Sequence, residues 1–236
     1  MQVGIVGYGQ TGKAVARFYT KPFIADMDRN ELIPNLDFLH ICFPFNDRFI
    51  FNAADYYLRY KPKIVIIHST VAVGTTAHLN SRFPAFVHSP VRGVHPHLYE
   101  GIKTFVKYVG ADDEDKGAEV KQHFNELGIV SKVLSESRTT ELGKLLDTTY
   151  YGTAIAFADY ADKLCRKTGL SYEEVMTEFN ETYNEGYKKL DKDNVVRPVL
   201  YPPKGMIGGH CILSNCRILE EQFGEHNTLN NIQDVC

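Results

Sequence analysis

The sequence predicts a doubly wound α/β domain on a mostly parallel sheet, followed by a smaller α-helical domain with a long central helix. Three observations predict it. Short, near-continuous apolar runs alternate with helical stretches through the first 136 residues. A glycine-rich turn joins the first of these runs to an Ala/Val-rich helix. Beyond residue 136 the strand-like runs stop, and a long proline-free stretch of helical period begins. The expected domains are therefore 1–136 and 137–236.

The chain opens on the apolar strand 3–6 and runs straight into "GYGQTG", where Gly7, Gly9 and Gly12 form G-x-G-x-x-G. In that context the three glycines have separate tasks. Gly7 makes the tight turn, Gly9 lets backbone approach a pyrophosphate, and Gly12 brings the helix close to the strand. Gln10 and Thr11 open that helix, whose N–H groups and dipole face the phosphates. This is a Rossmann-type, dinucleotide-binding start. The second strand, "PFIAD", ends in Asp26, which follows Gly7 at nearly the spacing of a ribose-binding carboxylate. A carboxylate there accepts from ribose hydroxyls and repels a 2′-phosphate, so the cofactor expected is NAD rather than NADP. Arg29 nearby pulls the other way.

"FLHICF" (38–43) and "KIVIIHS" (63–69) read as strands buried on both faces, with a helix between them. Pro44 and Ser69, at the ends of these two runs, complete the cofactor set. Strands at 85–89, 104–110 and 129–134 follow. The acidic stretch 111–128 reads as a helix with negative charge in its first turn, which suits the helix dipole. Of the phenylalanines at 43, 45, 49 and 51, core packing accounts for most. The loop after 85–89 carries His88, Arg92, His95 and His97. Arg92 there is suited to a carboxylate or phosphate, and His95 is a further substrate-contact candidate.

From 138 to 168 apolar residues recur at helical intervals without a proline, although Gly143 and Gly152 weaken the pattern locally. Ser171 and Glu174 read as a capping box for a second helix reaching about 190. The breaker-rich stretch 191–205 leads to "GGHCI" (208–212). The wide apolar and aromatic surface of 138–168 predicts a homodimer through that helix.

Bulk properties exclude several classes. The net charge is −3 and no basic stripe is visible, so no nucleic-acid partner is expected. No apolar run approaches the ~18 residues that span a bilayer, and no signal-peptide pattern opens the chain. A cytoplasmic protein without a membrane partner is expected. Five irregularly spaced cysteines make a poor disulfide framework. Residues His95, His97, His210, Cys211 and Cys216 have ligand chemistry but no zinc-site spacing, so no metal is expected.

Four stretches together resemble the nucleotide-sugar 6-dehydrogenases, the UDP-glucose and UDP-N-acetylmannosamine dehydrogenase family: "GIVGYGQTGKAVA", "HSTVAVGTT" (68–76), "TELGKLL" (140–146) and "GGHCI". The lysine segment is also similar to the wider 6-phosphogluconate and β-hydroxyacid dehydrogenase superfamily. The resemblance implies NAD-dependent oxidation of an alcohol, with attack of the Cys211 thiolate on the resulting aldehyde. A second oxidation would give a thioester, which water hydrolyses. It further implies that Lys144 stabilises the developing alkoxide and that Thr70 holds a water or hydroxyl near the nicotinamide. His210 lies beside the thiol in the motif. The chain also departs from the family pattern. Val91 stands where the family has glutamate, Thr148 where it has asparagine, and Asn215 where an aspartate assists hydrolysis. An amide does not take a proton from water at neutral pH. The chain ends soon after Cys211, so a truncated, divergent relative is expected. The substrate is a small molecule: an alcohol, a sugar-nucleotide or a hydroxyacid. Two alternatives stay open, group transfer in a nucleotide-type cleft and a non-catalytic nucleotide-binding relative.

Overall fold

The computed structural model describes residues 1–94, 96–203, 210–224 and 226–233. Two compact units divide the chain, Met1–Lys144 and Leu145–Cys236. The first begins with β1 (Val3–Val6), α1 (Gln10–Ala16), β2 (Phe23–Asp26), β3 (Arg29–Asn30), β4 (Phe38–Ile41), α2 (Phe49–Tyr60) and β5 (Ile64–Ile67). It continues with α3 (Thr75–Asn80), β6 (Phe86–His88), α4 (Leu98–Thr104), β7 (Lys107–Gly110), α5 (Glu114–Glu126) and β8 (Ser131–Leu134). The described strands form one sheet in the order β3-β2-β1-β4-β5-β6-β7-β8. Pairing is parallel except at β2–β3 and β6–β7.

The apolar runs become strands because both their faces are covered. One core lies under α1, α4 and α5, built around Ile5, Ile64, Ile66, Val87, Val120 and Phe124. The other lies under α2 and α3, built around Leu39, Ile41, Phe49, Ile67 and Phe86. Helices on both faces of a largely parallel sheet are the Rossmann-type, doubly wound arrangement expected. Phe43, Phe45 and Phe49 join the second core, whereas Phe51 is exposed. Two local expectations fail. The stretch 98–104 is the helix α4, seating Leu98 and Ile102 in the core, and the strand expected from 104 starts at Lys107. The short β3 was not anticipated; its two residues pair back on Ala25 and Asp26.

A line of polar side chains crosses the first of these cores. His68 Nδ1 lies 3.0 Å from the Ser89 carbonyl. Its Nε2 lies 2.8 Å from His40 Nδ1. His40 Nε2 is 2.9 Å from Tyr19 Oη, which is 2.8 Å from His123 Nε2. The carbonyl can only accept, and this sets every proton in the line. His68 Nδ1–H donates to Ser89, His40 Nδ1–H to His68, Tyr19 O–H to His40, and His123 Nε2–H to Tyr19. His123 Nδ1 is left as a buried acceptor with no partner among the described residues. Burial pushes the ring of His123 down to about 4 and holds His40 and His68 well below the usual histidine range. The Lys107 ammonium ends the line by donating to the Ser89 and Pro90 carbonyls at 2.7 and 3.0 Å. Burial pushes its pKa down to about 7.

In the second half, α6 runs unbroken over Ser137–Thr168. Its first turns pack with the α/β unit: Asp112 caps Ser137, accepting from the backbone N–H at 3.0 Å and the hydroxyl at 2.9 Å. The next helix opens as π-turns over Glu173–Glu178 with no side-chain cap at Tyr172, so the expected Ser171–Glu174 box does not define its start. It continues as α7 (Phe179–Lys189). The loop after it folds back on α7, where Asn184 makes two 2.8 Å bonds to the Arg197 backbone. The end of the unit holds α8 (His210–Phe223) and α9 (Asn227–Gln233). Gly152, a weak point in the helical pattern, has a packing reason. A Cβ there would stand 2.7 Å from Ile212 on α8 and 3.3 Å from Ile232 on α9.

Candidate active site

The order of strands reverses between β1 and β4, and in such sheets ligands sit beyond the C-terminal strand ends at that point. Those ends are laced together residue by residue. Gly7 N–H donates to the Ala25 carbonyl at 2.9 Å, and Tyr8 N–H to Asp26 Oδ2 at 2.9 Å, tying β1 to β2. Ser69 Oγ donates to the Phe43 carbonyl at 2.6 Å, tying β5 to β4. His88 Nε2 lies 3.1 Å from the Ser69 carbonyl and its Nδ1 2.8 Å from Thr140 Oγ1, tying β5 and β6 to α6. Burial pushes His88 down to about 3, so its ring is neutral. Nε2–H then donates to Ser69, and Nδ1 shares the Thr140 hydroxyl proton with the Ser137 carbonyl, 2.9 Å from Thr140 Oγ1.

The glycines divide their tasks by geometry. Gly7 has φ +87°, and a Cβ on it would stand 2.7 Å from Phe43 N. A Cβ on Gly12 would lie 1.9 Å from the Gly7 carbonyl oxygen. Only hydrogen fits at either place. Gly9 has nothing within 4 Å of its Cβ position. The first two positions are filled by the protein itself, and the third is open. Gln10 is exposed and Thr11 half-buried at the start of α1. Asp26 is exposed, with Oδ1 accepting from Met27 N–H at 2.8 Å. Arg29 pairs with Glu31 at 2.8 Å, its guanidinium 5.8 Å from the Tyr8 ring centroid. Pro44 is exposed; Ser69 and Thr70 are half-buried.

Lys144 is half-buried in the third turn of α6, and its charge is felt at His88 and Lys107. Arg92 leaves β6 with its guanidinium over the Tyr108 and Phe105 rings, 5.2 and 5.6 Å from their centroids. Val91 is buried in the core. His95, Gly208 and Gly209 lie outside the described residues. In the second unit, Thr148 is half-buried on α6. His210 begins α8. One position on, Cys211 is exposed, whereas Asn215 is buried with an amide N–H that has no partner among the described residues. Burial pushes the thiol of Cys42, beside the glycine turn, up to about 12, which keeps it protonated and inert.

Residues 138–235 match the model described as the UDP-glucose/GDP-mannose dehydrogenase family, central domain. Over this stretch the chain is similar to that domain. The match begins one residue into α6, so the matched stretch contains Lys144, Thr148, Cys211 and Asn215. It bears out the resemblance read from the four motifs. A curated relative, the UDP-N-acetyl-D-mannosamine dehydrogenase of Methanocaldococcus jannaschii, is 26% identical over 155 residues, covering 63% of this chain. The aligned part is 33% of that protein's own length. Among solved structures, the UDP-D-ManNAc dehydrogenase of Pyrococcus horikoshii aligns with a TM-score of 0.77 at 16% identity, over 100% of this chain and 68% of that one. The UDP-glucose dehydrogenase of Pyrobaculum islandicum gives 0.75 at 18% identity, over 99% and 67%. At such identities these structures establish a shared fold.

Sequence reading missed His88 as a link between elements, Lys107 as a buried cation and Glu141 altogether. The "TELGKLL" motif drew attention to its lysine. The glutamate three positions earlier reads, in sequence, as an ordinary surface residue of a helix.

Proposed function

We propose that the chain is an NAD-dependent dehydrogenase acting on an alcohol of the sugar-nucleotide class. The observation that carries this reading is the match to the family model over 138–235, a stretch that holds both Lys144 and Cys211. The residues present fit the cofactor: the open position at Gly9 leaves room for a pyrophosphate, and the exposed Asp26 carboxylate at the end of β2 is suited to accept from ribose hydroxyls. When bound, NAD supplies the hydride acceptor. Asp26 disfavours a 2′-phosphate, and Pro44 and Ser69 line the strand ends beside the glycine turn. Lys144 supports negative charge on the substrate oxygen, and Thr70 holds a hydroxyl or water in place. Cys211, an exposed cysteine, is the nucleophile for the aldehyde, a task that Cys42, its thiol held protonated, does not serve. Arg92 supplies a cation for an anionic part of the substrate. The hydrolytic half of the reaction is weakened, because Asn215 offers no carboxylate to take a proton from water.

The test is absorbance at 340 nm with NAD or NADP and UDP-glucose or UDP-N-acetylmannosamine. NADH formation with one of these substrates is expected, with NAD preferred. Cys211→Ala is expected to lower oxidation to the acid at least ~100-fold while NAD affinity, read by calorimetry, is unchanged. Absence of both NAD binding and turnover would sink the proposal; unchanged turnover in Cys211→Ala would remove the thiol from it.

The same helix supports a homodimer. Leu142, Leu146, Tyr150, Phe157, Tyr160 and Leu164 are exposed along α6, a continuous apolar surface. Light scattering is expected to give twice the chain mass, and Tyr150→Glu with Tyr160→Glu to give the monomer. A wild-type monomer at 50 µM would remove the dimer.

A further inference from the structure

Glu141 has no exposed surface, yet it carries a carboxyl group. Both of its oxygens are used within the α/β unit. Oε2 accepts from the Gly74 N–H at 2.6 Å and Oε1 from the Thr76 N–H at 2.9 Å. Gly74 takes φ +94° and stands immediately before α3. A carboxylate bound to two backbone donors is a strong, directional contact. Its burial raises the pKa, and these bonds oppose the rise. A buried acid with no cation paired to it among the described residues is costly to keep, which calls for a reason.

The reason lies in what the two bonded segments carry. Glu141 is one turn before Lys144 on an unbroken helix, and Gly74 closes the segment that leaves β5 through Ser69 and Thr70. His88 repeats the connection from the other side, joining the Ser69 carbonyl to Thr140, the neighbour of Glu141. Two buried links, made by different groups, therefore bind the turn that bears Lys144 to the segment that bears Thr70. We propose that Glu141 is a positioning residue, which with His88 sets the placement of Lys144 relative to the Ser69–Thr70 segment. The inference rests on the dehydrogenase reading for its kinetic consequence, and on geometry alone for its structural one.

Two readouts test it in the full-length chain. The first is steady-state NADH formation with NAD and UDP-N-acetylmannosamine. Glu141→Gln keeps one acceptor oxygen but turns an NH2 donor toward a backbone N–H. It is expected to lower kcat at least 30-fold while KM and the NAD Kd stay within three-fold. The second needs no turnover: competitive acetylation of Lys144 by acetic anhydride at pH 8, read by mass spectrometry against the exposed Lys121. Glu141→Gln is expected to change the relative reactivity of Lys144 at least three-fold, and the surface control Glu126→Gln to leave it unchanged. If wild type oxidises neither sugar nucleotide, that result bears on the dehydrogenase reading, and the acetylation result alone decides the role of Glu141. Unchanged Lys144 reactivity in a folded Glu141→Gln overturns the proposal. Glu141→Asp, which keeps the charge but shortens the reach, serves as the second variant where the amide does not fold, with the same expected and overturning results.

Discussion

Gly12→Ala is expected to lose several kcal/mol of stability and at least ten-fold in NAD affinity, whereas Gly9→Ala loses affinity alone. The contrast follows from two neighbouring positions in one turn. A methyl added at Gly12 would meet the Gly7 carbonyl oxygen at 1.9 Å, and a backbone atom cannot swing aside as a side chain can. Relief would require the first turn of α1 to move off β1. Gly7 cannot easily follow, because it holds a left-handed φ and its N–H is bound to the Ala25 carbonyl at 2.9 Å. A cost of ~3 kcal/mol or more is the scale for such a forced backbone clash. At Gly9 the φ of −71° suits alanine and no atom lies within 4 Å of the new methyl. Its stability should stay within ~1 kcal/mol of wild type. The methyl does fill the space proposed for pyrophosphate. Urea denaturation and calorimetry with NAD measure both effects. If Gly9→Ala bound NAD as wild type does, the turn would not be the phosphate cradle.

The second large effect is acid lability. His40, His68, His88 and His123 are all buried and all held neutral, their pKa values lowered first by desolvation. A folded-state pKa below the unfolded value means that the unfolded chain binds protons that the folded chain refuses. These groups contribute stability that is fully present above about pH 6.5 and is lost as pH falls through the folded values, about 4 for His123 and about 3 for His88. Each refused proton adds a slope of about 1.4 kcal/mol per pH unit. Near pH 5 two to four such protons give roughly 3–6 kcal/mol per unit. Against a total of about 5–15 kcal/mol, unfolding is expected before pH 4. Circular dichroism and urea titration between pH 7 and pH 4 read this directly. A urea midpoint at pH 4 within a tenth of its pH 7 value would contradict it. Lys107 works in the same sense at higher pH: its folded pKa of about 7 lies below the unfolded 10.5, so stability should rise between those values.

The parts of the fold that were legible are those governed by local rules. The strands 3–6, 38–41 and 64–67 are apolar throughout because both faces are covered, and that composition is visible without knowing the partners. The helix Ser137–Thr168 announces itself by period and by the absence of proline. The helix α4 was not legible. Its two buried residues, Leu98 and Ile102, give too short a pattern, and two histidines and a proline just before it read as loop. At the site, the glycines and Asp26 could be found because their spacing is fixed by one turn and one strand. Glu141 and the line from His123 to Ser89 could not.

What the sequence alone determined was therefore the α/β domain with its glycine turn, and the long helix that follows. Backbone restrictions and hydrophobic period act over a few residues, so they leave their mark within a few residues. Only the tertiary structure decided which side chains meet. Tyr19 touches His123 across 104 positions, and Glu141 reaches Gly74 across 67. Contacts at that range are set by how the sheet stacks its strands, and desolvation inside that stack keeps the histidines neutral. Neither cause has any counterpart in residue spacing along the chain.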